Sequence, residues 1–90
     1  MNKLDHFIDT LPGRTVVFKY VTTFANYHGF EFMVEVAEHD PLEKEFAIKP
    51  VNNGPIILTD YRKILLSEDV LVISGGEGPT EWVLRIKTKI

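Results

Sequence analysis

The chain has 90 residues, with 13 acids, 10 bases and no cysteine; 44% of its residues are apolar and its formal net charge is −3. That length accommodates one small core and no second one, so a single globular domain over residues 1–90 is expected, with enough apolar content to fold unaided. The lack of cysteine excludes disulfide staples and thiolate metal sites, and there is neither an apolar leader-like segment nor a run of membrane-spanning length, so a cytoplasmic location is expected.

The charge is unevenly spread. Residues 1–45 carry four bases and eight acids, whereas residues 46–90 carry six bases and five acids. An acidic first half argues against a dedicated polyanion binder, whose affinity comes largely from neutralising phosphates, but leaves room for a local basic face.

Leu4, Phe7, Ile8 and Leu11 fall at i, i+3, i+4 and i+7 and form one stripe of an α-helix. The helix is expected over about 3–11, with Asn2 as its cap, Asp5 in the first turn and Pro12-Gly13 ending it. A helix this short is marginal alone, so its stripe must dock on a sheet. From Thr15 the period changes to two, giving a first strand over about 15–24. Residues 25–29 read as a turn, and Phe30, Phe32, Val34 and Val36 set the inward phase of a second strand over about 30–37.

His39-Asp40-Pro41 marks a loop, because proline removes a donor and restricts the residue before it, and a third strand follows over 45–51. Asn52-Asn53-Gly54 is the strongest hairpin signal in the chain and leads into a fourth strand over 56–61. Periodicity does not arbitrate over 62–69, which reads as a connecting turn. Strands over 70–74 and 81–88 complete the pattern, the last with Trp82, Leu84 and Ile86 inward. The expected fold is therefore mainly β (α+β): a short helix followed by about six antiparallel strands in a strongly bent sheet or small barrel.

Chemical motifs are sparse. Ser74-Gly75-Gly76-Glu77-Gly78-Pro79 lacks the Lys-Ser/Thr of a phosphate cradle and precedes a strand, so it reads as a hairpin loop. His6, His28 and His39 are scattered, and His39-Asp40 with Glu35 and Glu38 makes a carboxylate-rich neighbourhood without metal-ligand spacing; these histidines read as solvated, and no metal or cofactor is expected. Neither Ser67 nor Ser74 sits in a nucleophile elbow, and the carboxylates have no telling spacing, so no catalytic residue is assigned and an enzyme is not expected.

Two surface features are more suggestive. Arg85, Lys87 and Lys89 form a basic stripe opposite the inward residues of the last strand, although Glu31, Glu35 and Glu45 could neutralise it across strands. Tyr27-His28 lies at the expected hairpin tip, where an aromatic could anchor a partner. These observations favour a non-catalytic protein-binding module, accessory, regulatory or inhibitory in role, acting through its surface or a strand edge. The alternatives are a nucleic-acid-binding small barrel using Lys19, Arg85, Lys87 and Lys89, and a structural homo-oligomer joined through edge strands.

Overall fold

A computed structural model of the chain describes residues 3–22 and 26–89, the side chains of Asn26, Tyr27, His28 and Phe30 lying outside that description. One short helix, α1 (Lys3–Asp9), precedes seven strands: β1 (Thr15–Thr22), β2 (Asn26–Asp40), β3 (Glu45–Pro50), β4 (Ile56–Leu58), β5 (Tyr61–Ser67), β6 (Val70–Gly75) and β7 (Trp82–Thr88). They form one antiparallel sheet in the order β4-β3-β2-β1-β7-β6-β5, which bends but does not close. Among the described residues no helix is long and apolar enough to cross a membrane.

The mainly β class with an N-terminal helix is as expected, with three corrections in detail. The helix ends at Asp9, and a tighter turn follows in which Leu11 N donates to Ile8 O at 3.1 Å and buries the Leu11 side chain completely. The cap expected at Asn2 lies outside the described residues, as do residues 23 and 24 of the expected first strand. Gly13, at φ +86°, turns the chain so that its N–H reaches Val34 O at 2.8 Å, and Val34 N donates to Arg14 O at 2.9 Å. These bonds tie the helix exit to the middle of β2.

The second correction concerns β2, which runs from Asn26 to Asp40 and absorbs both the turn expected at 25–29 and the start of the loop expected at 38–44. Two bulges make that length possible. In the first, Phe18 opposes Phe30 but Tyr20 opposes Tyr27, so two residues of β2 face Lys19. In the second, Val34 opposes Pro50 while Val36 opposes Lys49, beside a proline that has no N–H to offer the ladder. The extra residue inverts the side-chain phase. Val36, expected inward, is exposed, whereas Ala37 packs against the core. At the far end Asp40 still pairs with Glu45, and its carboxylate accepts the Leu42 and Glu43 N–H groups at 3.2 Å, which shortens the loop to residues 41–44.

The third correction adds a strand. Asp60, at φ +54°, ends β4 early, and the stretch 62–69 that read as a turn is mostly β5, paired with β6 from Tyr61↔Gly75 to Ser67↔Val70. A tight turn at Glu68 and Asp69, with Glu68 at φ +55°, joins the two. β5 is an edge strand, and its Ile64, Leu65 and Leu66 are all half-buried, which is why no two-residue period is visible there.

The concave face holds one apolar cluster arranged in cross-strand rows. Phe18, Ile86, Leu71 and Leu66 form one row, and Tyr20, Leu84, Ile73 and Ile64 form the next. The inward phase expected for β7 holds, since Leu84 and Ile86 are fully buried and Trp82 packs against them. Ile8 and Leu11 bring the N-terminal segment onto this cluster, with α1 touching β2 and β5. Trp82 lies across Gly75, where an added Cβ would come within 2.6 Å of the indole.

Candidate functional site

With the core rows assigned, the opposite side chains of β5, β6, β7 and β1 make a convex outer face. Leu65, Val72, Arg85 and Lys19 line up across it, flanked by Val70, Lys87 and Val17 on one side and by Lys63, Ser74, Val83 and Val21 on the other. The floor is mostly valine and the charges are basic. Lys19 and Arg85 are direct cross-strand partners, a like-charge pairing that weakens a sheet. Among the described residues, Lys19, Lys63, Arg85 and Lys87 have no ion-pair partner.

The neutralisation expected from acids on neighbouring strands reaches only the margin. Lys89 is held by Glu31 at 2.9 Å, Glu35 bonds Lys49 instead, and Glu45 lies opposite Asp40 on β3, two strands from β1. The structure therefore brings Lys19, Arg85 and Lys87 together and places Lys89 beside them, already partnered. Tyr27 does not sit at a hairpin tip. Its backbone lies within β2 opposite Tyr20, and the side chains of Tyr27 and His28 are outside the described residues.

A second feature has the opposite charge. Between α1 and residues 37–40 of β2 runs an open groove of about 900 Å³, lined by Asp5, Asp9, Glu38, His39, Asp40 and Glu45 together with smaller apolar residues. His39, expected as a solvated loop residue, lies in β2 with its side chain only 6% exposed. Its Nε2 is hydrogen-bonded to Tyr61 Oη at 2.6 Å, while Nδ1 is buried without a hydrogen-bond partner and stands 3.8 Å from Asp5 Oδ1. The phase inversion in β2 and the extension of that strand to Asp40 are what turn His39 inward, where a solvated loop residue was expected.

Burial, reinforced by the nearby Asp40 carboxylate, raises the Tyr61 phenol above its ordinary value of 10.0. Tyr61 thus stays protonated and serves as a hydrogen-bonding strut; the direction is opposite to that required of a nucleophilic phenolate. The sign of the linkage fixes a pH effect. A raised folded-state pKa contributes stability that is complete below pH 10 and is lost as pH rises through the folded value. Tyr61→Phe should therefore flatten the alkaline limb of the stability curve. At neutral pH it should cost about 1 to 3 kcal/mol, because both His39 nitrogens are then left unpaired. Denaturant titrations at pH 7 and at pH 10 to 11 check both effects, and an unchanged alkaline limb in the variant would contradict the assignment.

The remaining histidine and the glycine-rich loop take ordinary places. His6 is exposed on α1 beside a smaller crevice of about 460 Å³ that it shares with Arg14, Glu68 and Asp69. The glycine-rich stretch joins β6 to β7 as a hairpin connection containing a short 3₁₀ turn at Gly78–Thr80, and Glu77 there is paired with Arg62 at 2.5 Å. Among the described residues no group of three or more His, Asp or Glu side chains is placed to hold a metal ion. Compared with known proteins, the chain matches no protein-family model, no curated protein and no solved structure.

Proposed function

We propose that the protein is a non-catalytic protein-binding module whose outer sheet face docks an acidic protein surface. The observation that supports this reading most directly is the Lys19↔Arg85 pair, two cations held side by side on a valine floor with Lys87 adjacent and, among the described residues, no ion-pair partner. Like-charge neighbours cost the sheet stability, so a partner that supplies the missing carboxylates recovers that cost on binding. An apolar floor with charged side chains around it also follows the general anatomy of protein interfaces.

Nucleic acid is the second reading for the same cations. It is weaker because single-strand binders stack bases on aromatic rings, and the residues identified on this face are valine, leucine, serine and lysine or arginine. The two readings separate in one titration. A labelled peptide alternating glutamate with leucine should bind the protein, and an oligothymidylate of equal charge should bind more weakly.

The variant Arg85→Glu places opposite charges across β1 and β7. It should leave stability unchanged or raise it by about 0.2 to 1 kcal/mol, while weakening the acidic peptide at least tenfold, as judged by fluorescence anisotropy and thermal unfolding. Tighter binding of the oligonucleotide, or equal peptide binding by Arg85→Glu, would overturn the proposal.

A further inference from the structure

We infer that β5 is a self-association edge: it pairs antiparallel with β5 of a second copy of this chain, across a two-fold axis through Leu65, and joins the two sheets into one. The inference is independent of the outer-face reading, because Arg85 and Lys87 lie two strands from β5 and Lys19 lies three.

The backbone is the first support. β5 ends the sheet and pairs with β6 alone. In an antiparallel ladder alternate residues turn their N–H and C=O groups to opposite sides, so every second residue of an edge strand offers a donor and an acceptor outward. Among the described residues, Tyr61 N, which donates to Lys44 O at 3.3 Å, is the one β5 backbone group bonded outside the β5-β6 ladder. Helix α1 approaches β5 beside Leu66, across the crevice it shares with Glu68 and Asp69, and no backbone bond joins the two.

The side chains are the second support. Edge strands are normally blunted by charge, proline, a bulge or sheer shortness. The opposite edge, β4, is three residues long. On β5 the bulge and the charges of Arg62 and Lys63 are confined to the start, and residues 64–67 carry neither charge nor proline. Ile64, Leu65 and Leu66 are all half-buried although they alternate between the two faces, so both faces of this edge have apolar surface left to cover.

The order of the residues selects a second copy as the occupant. With Leu65 on the axis, Leu65 faces its own equivalent, Ile64 faces the partner's Leu66, and Lys63 faces the partner's Ser67 with the partner's Asp69 diagonal to it. Lys63 and Asp69 have no ion-pair partner among the described residues, whereas Arg62 is already held by Glu77. Moving the axis to Ile64 sets Lys63 against leucine, and moving it to Leu66 sets Ile64 against glutamate. One register thus matches apolar with apolar and places opposite charges together, and in a two-fold pair each such contact occurs twice.

The test is sedimentation equilibrium of the full chain over a concentration series, read together with amide hydrogen exchange. The mass should rise from 10.3 kDa towards twice that value, and exchange of alternate amides within residues 64–67 should slow in step with it. Leu65→Lys sets like charges opposite each other on the axis and should weaken association at least tenfold. Lys63→Glu should weaken it severalfold by meeting the partner's Asp69, and adding Asp69→Lys should restore it, which a damaged fold would not allow. Ile57→Lys on β4 and Lys19→Gln/Arg85→Gln on the outer face should leave the mass series unchanged. A chain that stays monomeric up to about 1 mM, association that survives Leu65→Lys, no rescue by Asp69→Lys, or concentration-dependent protection confined to other strands would each overturn the inference.

Discussion

Phe46→Ala should lower stability by about 3 to 5 kcal/mol, the range for truncating a fully buried aromatic. Phe46 has no exposed surface, and it sits on β3 between His39 of β2 and Leu58 of β4. It is thus the side chain that fastens the β3-β4 end of the open sheet to the rest of the core. A cavity there cannot be refilled by β4, which is only three residues long and paired on one side. For a domain of this size the loss corresponds to a fall in melting temperature of about 15 °C or more. Phe32→Ala is the matched comparison. Phe32 is half-buried and packs against Phe18 with ring centroids 5.8 Å apart, so its removal should cost about 1 to 3 kcal/mol. Equal losses for the two variants, measured by chemical denaturation, would contradict the burial assigned to β3.

Gly76→Ala should be the most damaging small substitution, costing at least about 2 kcal/mol. Gly76 occupies φ +77°, where a Cβ is disfavoured before any neighbour is considered. An added Cβ would also collide with the Thr80 carbonyl oxygen, which belongs to the short 3₁₀ turn and cannot move without opening it. That turn sets the entry of Trp82 into β7. Displacing it therefore loosens the indole from Gly75 as well. Gly78→Ala makes the control, since Gly78 has φ +53° but open space around its α-carbon, and it should cost clearly less. If both variants melt together, the close approach at Thr80 is not what fixes the loop.

These two positions also show how far the amino-acid sequence announces the fold. The inward phases of β1 and β7 are legible because each alternates along the sequence, with Val16 and Phe18, and Leu84 and Ile86 buried, whereas Val70-Leu71-Val72-Ile73 of β6 is apolar throughout and its alternation in burial appears only in the structure. The helix stripe is equally plain, since Ile8 and Leu11 reach the core. What alternation cannot show is a bulge. One extra residue near Glu35 inverts the rest of β2, exposing Val36 and burying His39, and this single event hides the groove from a periodic reading.

Edges are hidden for a different reason. β5 is half-buried on both faces over Ile64-Leu65-Leu66, so this run offers no period to read, and residues 62–69 pass for a turn. Of the candidate site, the basic stripe is visible in the sequence because Arg85 and Lys87 alternate with core residues. Its significance is not visible there. That depends on Lys19 lying opposite Arg85 and on Glu31 reaching only Lys89, which are facts of strand order. Tyr61 carries no sequence signal at all, since its role follows from meeting His39 across 22 residues of chain.

The proposed docking surface for an acidic protein is the outer face of β1, β7 and β6. The measurement that tests it most directly is amide chemical-shift mapping of the labelled protein during titration with the glutamate-leucine peptide. Saturable shifts centred on Val17, Lys19, Val72, Arg85 and Lys87, abolished in the Lys19→Gln/Arg85→Gln variant, are expected. Shifts centred elsewhere, or a face that stays silent while the peptide binds, would contradict it.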